Sequence, residues 1–435
     1  MGMFRLVVRE HERIPVVTER QAGERALLTH EVAVLLRACE DAHITPFVVG
    51  HRNVKFNQHC GVIQARGISV EILPKVADCD DFDRGLLLQM LGCAMGFDIA
   101  RLDAGHLRLQ DHTVLQVLLW WFCEELSTQC HAGLLREYVN HSDELPVIRG
   151  RWRVDLDLRR GYRDPTRLAC EFDELVTDNR YNRALKAALR SARRLAAGSP
   201  PLLRQVNLLL AWFGEVGDQK LTAADIDKLP RNRLVARYGP ALDMAAWLLG
   251  QRAPDLHHGG QSGFAILFNM NQLFQSCLGS VLDGCLPPGY QLRQERPRYF
   301  LSLDHAGHRR FQMKPDFCIM HQGRVVAIID AKWKRLTPAS TTGTWGIQQG
   351  DMYQLHAYAA AYECPRVALW YPAHGETDDD AQRPTFRFLT AGRDPAAATV
   401  AVDWIGLFED LRGRHWVRAM HAGVSASLQR IGIAA

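Results

Sequence analysis

The chain has 435 residues, 47% of them hydrophobic and 23% charged, with a formal net charge of +4. That balance excludes a disordered or fibrous chain and leaves room for two or three domains with proper cores. So small a charge neither announces nor excludes a nucleic-acid ligand, because a local basic face is enough.

In chain order, residues 1–110 read as β-rich. Short strands are expected over 4–8, 16–17, 45–49 and 67–73. Between them, residues 29–41 read as a helix with Val32, Leu35, Leu36 and Cys39 on one face. The region 111–255 reads as mainly helical. One helix is expected before it, over 86–95, and another within it, over 113–138, broken near Gln129. Residues 145–158 alternate Trp152, Val154, Leu156 and Leu158 against Arg151, Arg153, Asp155 and Asp157, the pattern of a half-buried strand. Residues 172–195 read as one or two helices carrying Arg183, Lys186, Arg190, Arg193 and Arg194. That basic stripe is either a phosphate-contacting face or a solvated outer face. Pro200-Pro201 breaks the chain. Helices follow over 202–216 and 231–250, and the Gly/His-rich stretch 254–260 reads as a boundary. The last region, 256–435, reads as helix 264–282, strands 291–303, 309–319 and 324–333, helix 347–362, strands 366–371 and 385–390, and helix 404–412. The fold class expected is α/β (α+β).

The most informative residues lie in that last region. Pro315-Asp316 is followed, after thirteen intervening residues, by Asp330-Ala331-Lys332. The two flanking segments are short and apolar, with His321-Gln322-Gly323 between them, so they read as a hairpin. Antiparallel pairing brings Asp316 and Asp330 to one end. Lys332, two residues from Asp330, points to the same face. Two carboxylates and a lysine converging there suit Mg²⁺ and phosphodiester hydrolysis. Spacing alone leaves surface salt bridges as an equal alternative. Two contexts favour the site. Asp330 ends a five-residue apolar run, where a carboxylate needs a partner or a metal. Downstream, Gln354 and Tyr358 share one helix face. Arg309 and Arg310, with Arg293, Arg296 and Arg298, either line a DNA approach or are ordinary strand arginines.

No GxxxxGK[ST] motif occurs, so no nucleotide site of its own is expected. The 11 cysteines include no Cys-x-x-Cys, which points to a reducing cytoplasm, and only Cys364 lies beyond the Asp-x-Lys strand, so no iron–sulfur cluster is expected. Residues 1–17 carry charges throughout, unlike a secretory signal. The most apolar run, 114–123, is too short to span a bilayer, so no membrane partner is expected.

Pro315-Asp316, Asp330-Ala331-Lys332 and Gln354-x3-Tyr358 resemble the PD-(D/E)xK nuclease superfamily. More narrowly, the chain resembles the McrC family, the nuclease subunits of modified-cytosine (McrBC) restriction systems. Four further segments carry that likeness. They are Gly67 to Val76 with Leu87 to Met90; Ile148-Arg149-Gly150-Arg151; Glu171-Phe172-Asp173-Glu174 with Asn179 through Lys186; and Asn269 through Phe274. The resemblance runs in order from about Gly61 to Tyr371. It implies a restriction-endonuclease-like core and Mg²⁺-dependent cutting of double-stranded DNA to 5′-phosphate and 3′-hydroxyl ends. Asp316, Asp330 and Ala331 would hold the metal, Lys332 would orient the attacking water, and Gln354 and Tyr358 would support the site. It also implies an N-terminal part that docks on and stimulates a hexameric AAA+ GTPase ring. Gln275 departs from the family, which often has an acid there, and leaves the number of metal ions open. The rivals are a stand-alone repair-type nuclease and a nuclease-dead scaffold that activates a partner NTPase.

Overall fold

The computed structural model describes residues 3–41, 44–76, 79–95, 112–159, 166–250, 264–294, 299–336, 343–373, 383–389, 398–407 and 415–433. The boundary expected at 254–260 lies outside them. Compactness divides the chain into two units, Met1–Val114 with His258–Ala435, and Leu115–His257.

The first unit begins with β1 (Phe4–Arg9), β2 (Arg13–Val17), β3 (Leu27–Leu28), α1 (Thr29–Asp41), β4 (Phe47–Val49), β5 (Asn53–Phe56), β6 (His59–Ala65), β7 (Ile68–Leu73) and α2 (Asp80–Met95). One sheet has the order β3-β2-β5-β4, and another begins β1-β7-β6. Helix α1 adds Val32, Leu35 and Cys39 to the core formed with Val8, Val54, Ile63 and Val70. Strands β5 and β6 were not expected. β6 is buried on both faces along most of its length, so it lacks the alternation that would reveal it.

The second unit holds most of α3 (Val114–His131), then β8 (Glu137–Leu145), β9 (Arg151–Trp152), α4 (Val154–Arg159), β10 (Leu168–Val176), α5 (Arg180–Leu195), α6 (Pro200–Trp212), α7 (Ala223–Asp227) and α8 (Gly239–Gly250). Three expectations are corrected here. The helix over 113–138 stops at His131, and Tyr138 lies in β8, which pairs with the full length of β10. The strand over 145–158 is only β9 followed by a helical turn. Its apparent inner face is open, with Trp152 44% and Leu158 80% exposed, and Trp152 Nε1 donates to Asp157 Oδ2 at 2.6 Å. The helix over 172–195 starts only at Arg180, because pairing of Phe172 and its neighbours with β8 overrides the helix preference of their glutamates. Asn179 caps α5 by accepting from the Tyr181 and Asn182 amides. Pro200 sits in the first turn of α6, where its missing N–H costs nothing.

The first unit resumes with β11 (Phe264–Asn269), α9 (Met270–Cys285), β12 (Tyr290–Gln294), β13 (Tyr299–Leu303), β14 (Arg309–Met313), β15 (Phe317–His321), β16 (Arg324–Ala331), α10 (Gln349–Ala361), β17 (Arg366–Pro372), β18 (Thr385–Arg387), β19 (Thr399–Ile405) and α11 (His415–Arg430). The helix expected over 264–282 divides, because β11 pairs antiparallel with β6 and α9 begins after the Asn269 cap. The helix expected over 404–412 is replaced, in its described part, by the end of β19. That strand is buried on both faces and parallel to β17. Six strands form the sheet β12-β15-β16-β17-β19-β18, with β16, β17 and β19 parallel. On one face Cys318, Ile328, Val367 and Leu369 pack with Leu355 and Tyr358 of α10. Helix α9 packs against β12 and β16. Among the described residues no helix is long and apolar enough to cross a membrane.

Two glycines with positive φ separate local strain from crowding. Gly67 (φ +77°) has open space where a Cβ would go, but at Gly61 (φ +137°) a Cβ would lie 2.1 Å from the Ile266 carbonyl oxygen across the β6–β11 pair. Gly67→Ala is expected to cost roughly 1–2 kcal/mol of stability. Gly61→Ala is expected to cost roughly 3 kcal/mol or more, from strain plus crowding. Denaturant unfolding of the two variants checks this, and equal losses would contradict it.

Candidate active site

Strands β15 and β16 form a hairpin whose two turn residues, Gln322 (φ 49°) and Gly323 (φ 78°), are both left-handed, as a tight two-residue turn requires. The register pairs Phe317 with Ile329, so Asp316 and Asp330 fall opposite each other at the open end. Asp330 and Lys332 alternate in step with Ile328, toward α10. Gln354 and Tyr358 rise from that helix.

The five residues form a closed circuit. Ala331 N donates to Asp316 Oδ2 at 2.8 Å, and Lys332 Nζ lies 2.6 Å from Asp330 Oδ2. Lys332 Nζ also donates to Gln354 Oε1 at 3.0 Å, and Gln354 Nε2 donates to the Tyr358 hydroxyl at 2.8 Å. That hydroxyl donates to the Lys314 carbonyl at 2.9 Å, two residues before Asp316. Lys332 N donates across to Trp370 O at 2.8 Å, toward β17, whereas Ala331 N faces Asp316. In extended backbone a residue's N–H and C=O share an edge, so the Ala331 carbonyl faces Asp316 as well.

Asp330 is 1% exposed. Burial pushes its carboxyl above the ordinary range, and the nearby Lys332 only partly offsets that. Lys332 shows the opposite balance. Burial works against its charge, but Asp330, then Asp316 and Asp351, more than compensate and hold the ammonium above its usual range. A lysine so held is a fixed positive charge rather than a base. Burial also pushes the Tyr358 phenol up to about 12, so it stays a hydrogen-bonding hydroxyl.

The donor set fits a hard cation. Asp330 Oδ2 is buried and lies 2.6 Å from the Lys332 ammonium. Among the described residues no three His, Cys, Asp or Glu side chains converge as a closed cage. Two carboxylates and a carbonyl suit Mg²⁺, which keeps waters and takes phosphate oxygens as its remaining ligands.

Spacing had not singled out two further groups. Asp351, 8% exposed in the first turn of α10, pairs with Lys334 Nζ at 3.1 Å and adds negative charge near Asp330. Its signal was its position three residues before Gln354. Trp333 Nε1 donates to Glu10 Oε1 at 2.8 Å, a contact across 323 residues with no local signature.

The basic residues behave differently from the triad. On α5, Arg183 is paired with Asp178 at 2.7 Å, and Lys186 and Arg190 both with Asp218. The Asp178 carboxyl is held down at about 2 by Arg183. Each of the three is thus tied to an aspartate, Lys186 is half-buried with its Nζ also donating to the Val216 carbonyl, and Arg190 and Arg193 are exposed on the same helix. On β14, Arg309 and Arg310 are exposed, with Arg310 tied to Asp304 at 2.9 Å.

A family model described as McrBC 5-methylcytosine restriction system component matches residues 54–372. The chain belongs to this family. A chain in the refined half-complex of the tetradecameric assembly of Thermococcus gammatolerans McrB AAA+ hexamers with bound McrC is similar in fold. The TM-score is 0.70 at 17% identity, over 98% of this chain and 100% of that one. A chain of the cryo-EM structure of the T. gammatolerans McrBC complex matches with a TM-score of 0.50 and 20% identity, over 64% of this chain and 87% of that one. No curated protein matches.

Tyr358→Phe removes the hydroxyl that joins Gln354 to the Lys314 carbonyl. The loss expected is about 1–3 kcal/mol of stability, the cost of leaving such groups unpaired. Thermal unfolding against wild type measures it, and an unchanged midpoint would show that the circuit does not hold the site.

Proposed function

We propose that this chain is the Mg²⁺-dependent DNA endonuclease subunit of a modification-dependent restriction system. The carrying observation is the convergence of Asp316, Asp330 and Lys332 at the open end of one hairpin, braced by Gln354 and Tyr358. Asp316, Asp330 and the Ala331 carbonyl would hold the metal. When bound, the cation supplies Lewis acidity toward the phosphate and makes a water acidic enough to attack near neutral pH. Lys332 orients that water and offsets charge that builds on the phosphate oxygens. Gln354 fixes the lysine, and Tyr358 fixes the glutamine. Hydrolysis forms a bond from the water oxygen to phosphorus and breaks the P–O3′ bond, leaving a 5′-phosphate and a 3′-hydroxyl.

The motor belongs to another chain. This sequence has no P-loop, and the similar solved structure is described as McrB AAA+ hexamers with bound McrC. A GTPase ring of that kind would recognise modified cytosine and translocate DNA, and this chain would dock on it, stimulate it and cut.

Plasmid cleavage tests the proposal. Purified chain is incubated with Mg²⁺ and modified or unmodified DNA, with or without the AAA+ partner and GTP. Cutting is expected only of modified DNA, only with partner and nucleotide, and at least about a hundredfold less with Asp330→Ala, in keeping with loss of a principal charge-stabilising group. Cutting without the partner would point to a stand-alone nuclease. No cutting with undiminished stimulation of the partner would point to a scaffold.

A further inference from the structure

The carboxyl ends of two parallel strand pairs in the first unit open on one cavity. β1 runs parallel to β7, and β16 runs parallel to β17. Glu10 and His11 follow β1, Lys75 and Val76 follow β7, and Trp333, Lys334 and Arg335 follow β16. Together with Pro372 and Ala373 at the end of β17, they line a cavity of about 420 Å³. The carboxyl ends of parallel strands are where open α/β sheets bind ligands, and this volume falls within the roughly 300–1,000 Å³ range of such sites.

Glu10 builds the cavity. Its Oε1 accepts from Trp333 Nε1 at 2.8 Å and from Lys75 N at 3.0 Å, so one carboxylate, 3% exposed, joins the ends of β1, β7 and β16. The Trp333 ring is also set against Phe274, with ring centres 5.5 Å apart. The wall it anchors carries three cations, Lys75, Lys334 and Arg335, against one acid, Glu10, among its nine lining residues, and Lys334 also pairs with Asp351 outside the lining. His11 sits in the left-handed region (φ 62°), a strained setting that often marks a functional turn. Burial, then Lys55 and Lys75, keep its imidazole below the ordinary range, as expected in a positive field.

We propose that this cavity is a phosphate subsite for the DNA strand being cut, receiving the phosphodiester next to the scissile one. The inference rests on the nuclease reading above. The two sites are neighbours along the chain. Lys334 N returns to the Lys332 carbonyl at 3.0 Å, so a tight turn carries the strand directly from the catalytic lysine to the basic wall. Lys75 and Arg335 are exposed residues of that wall and supply the contacts.

The test uses the full chain and a labelled duplex, with Ca²⁺ in place of Mg²⁺ so that binding is read without cutting. Affinity is followed against salt for wild type, Lys75→Gln with Arg335→Gln, and the charge-keeping Lys75→Arg. The double variant is expected to bind more weakly, with a salt slope shallower by about one to two. Lys75→Arg should match wild type. An unchanged slope in the double variant overturns the subsite. If, with that slope unchanged, inorganic phosphate alone raises the wild-type melting temperature, the cavity serves a free anion instead. If DNA binding is unchanged but stimulation of the partner NTPase falls, it is a protein contact. Failure of wild type to cleave modified DNA with Mg²⁺, the AAA+ partner and GTP, with the slope change present, defeats the nuclease reading and leaves a DNA contact. Cleavage with no slope change defeats the subsite alone.

Discussion

One extra residue in β16 sets the site. Between Asp316 and the turn lie five residues of β15, but six residues of β16 separate the turn from Asp330. Equal pairing from the turn would set Asp316 opposite Ile329. Because the side-chain period of a strand is two, the acid would then be a step out of register. The irregularity between Ile319 and Met320 absorbs the surplus, pairing Ile319 with Ala327 and Met320 with Val325. This is a β-bulge used to aim a side chain. It brings Asp330 opposite Asp316 and keeps Ile328, Asp330 and Lys332 on the face toward α10.

That alignment creates an electrostatic tension. A carboxylate at the end of a buried parallel strand is desolvated, and Lys332 does not fully relieve it. Such a charge is costly unless it is paired and hydrogen-bonded or bound to a metal. The lysine meanwhile is held charged and in place through Gln354, Tyr358 and the Lys314 carbonyl. The circuit returns to the chain just before Asp316, so the acids and the cation are positioned by one connected frame. The candidate site is thus organised without any ligand, the arrangement that electrostatic catalysis would require.

The five site residues were legible because each is fixed by local geometry. A hairpin's turn and a helix's i, i+4 spacing both appear in sequence, and the structure joins the two through Lys332 and Gln354. The errors have a common cause, which is long-range pairing or burial on both faces. β6 and β19 show no alternation because neither face meets water. Phe172 and its neighbours were drawn out of a helix by β8, and Trp152 and Leu158 alternated without a core beneath them. The basic stripe on α5 followed the helix period correctly, but sequence could not reveal the aspartates at 178 and 218 that take up its charges. Glu10 and Trp333 lie too far apart in the chain for any pattern to link them.

The central claim is that Asp316 and Asp330 are metal ligands rather than surface acids. Isothermal titration of Mg²⁺ into the full chain, beside Asp316→Asn and Asp330→Asn, tests it most directly. Saturable binding by wild type, lost in both variants while their folds persist, is the predicted result. Equal binding by all three, or none by wild type, would contradict it.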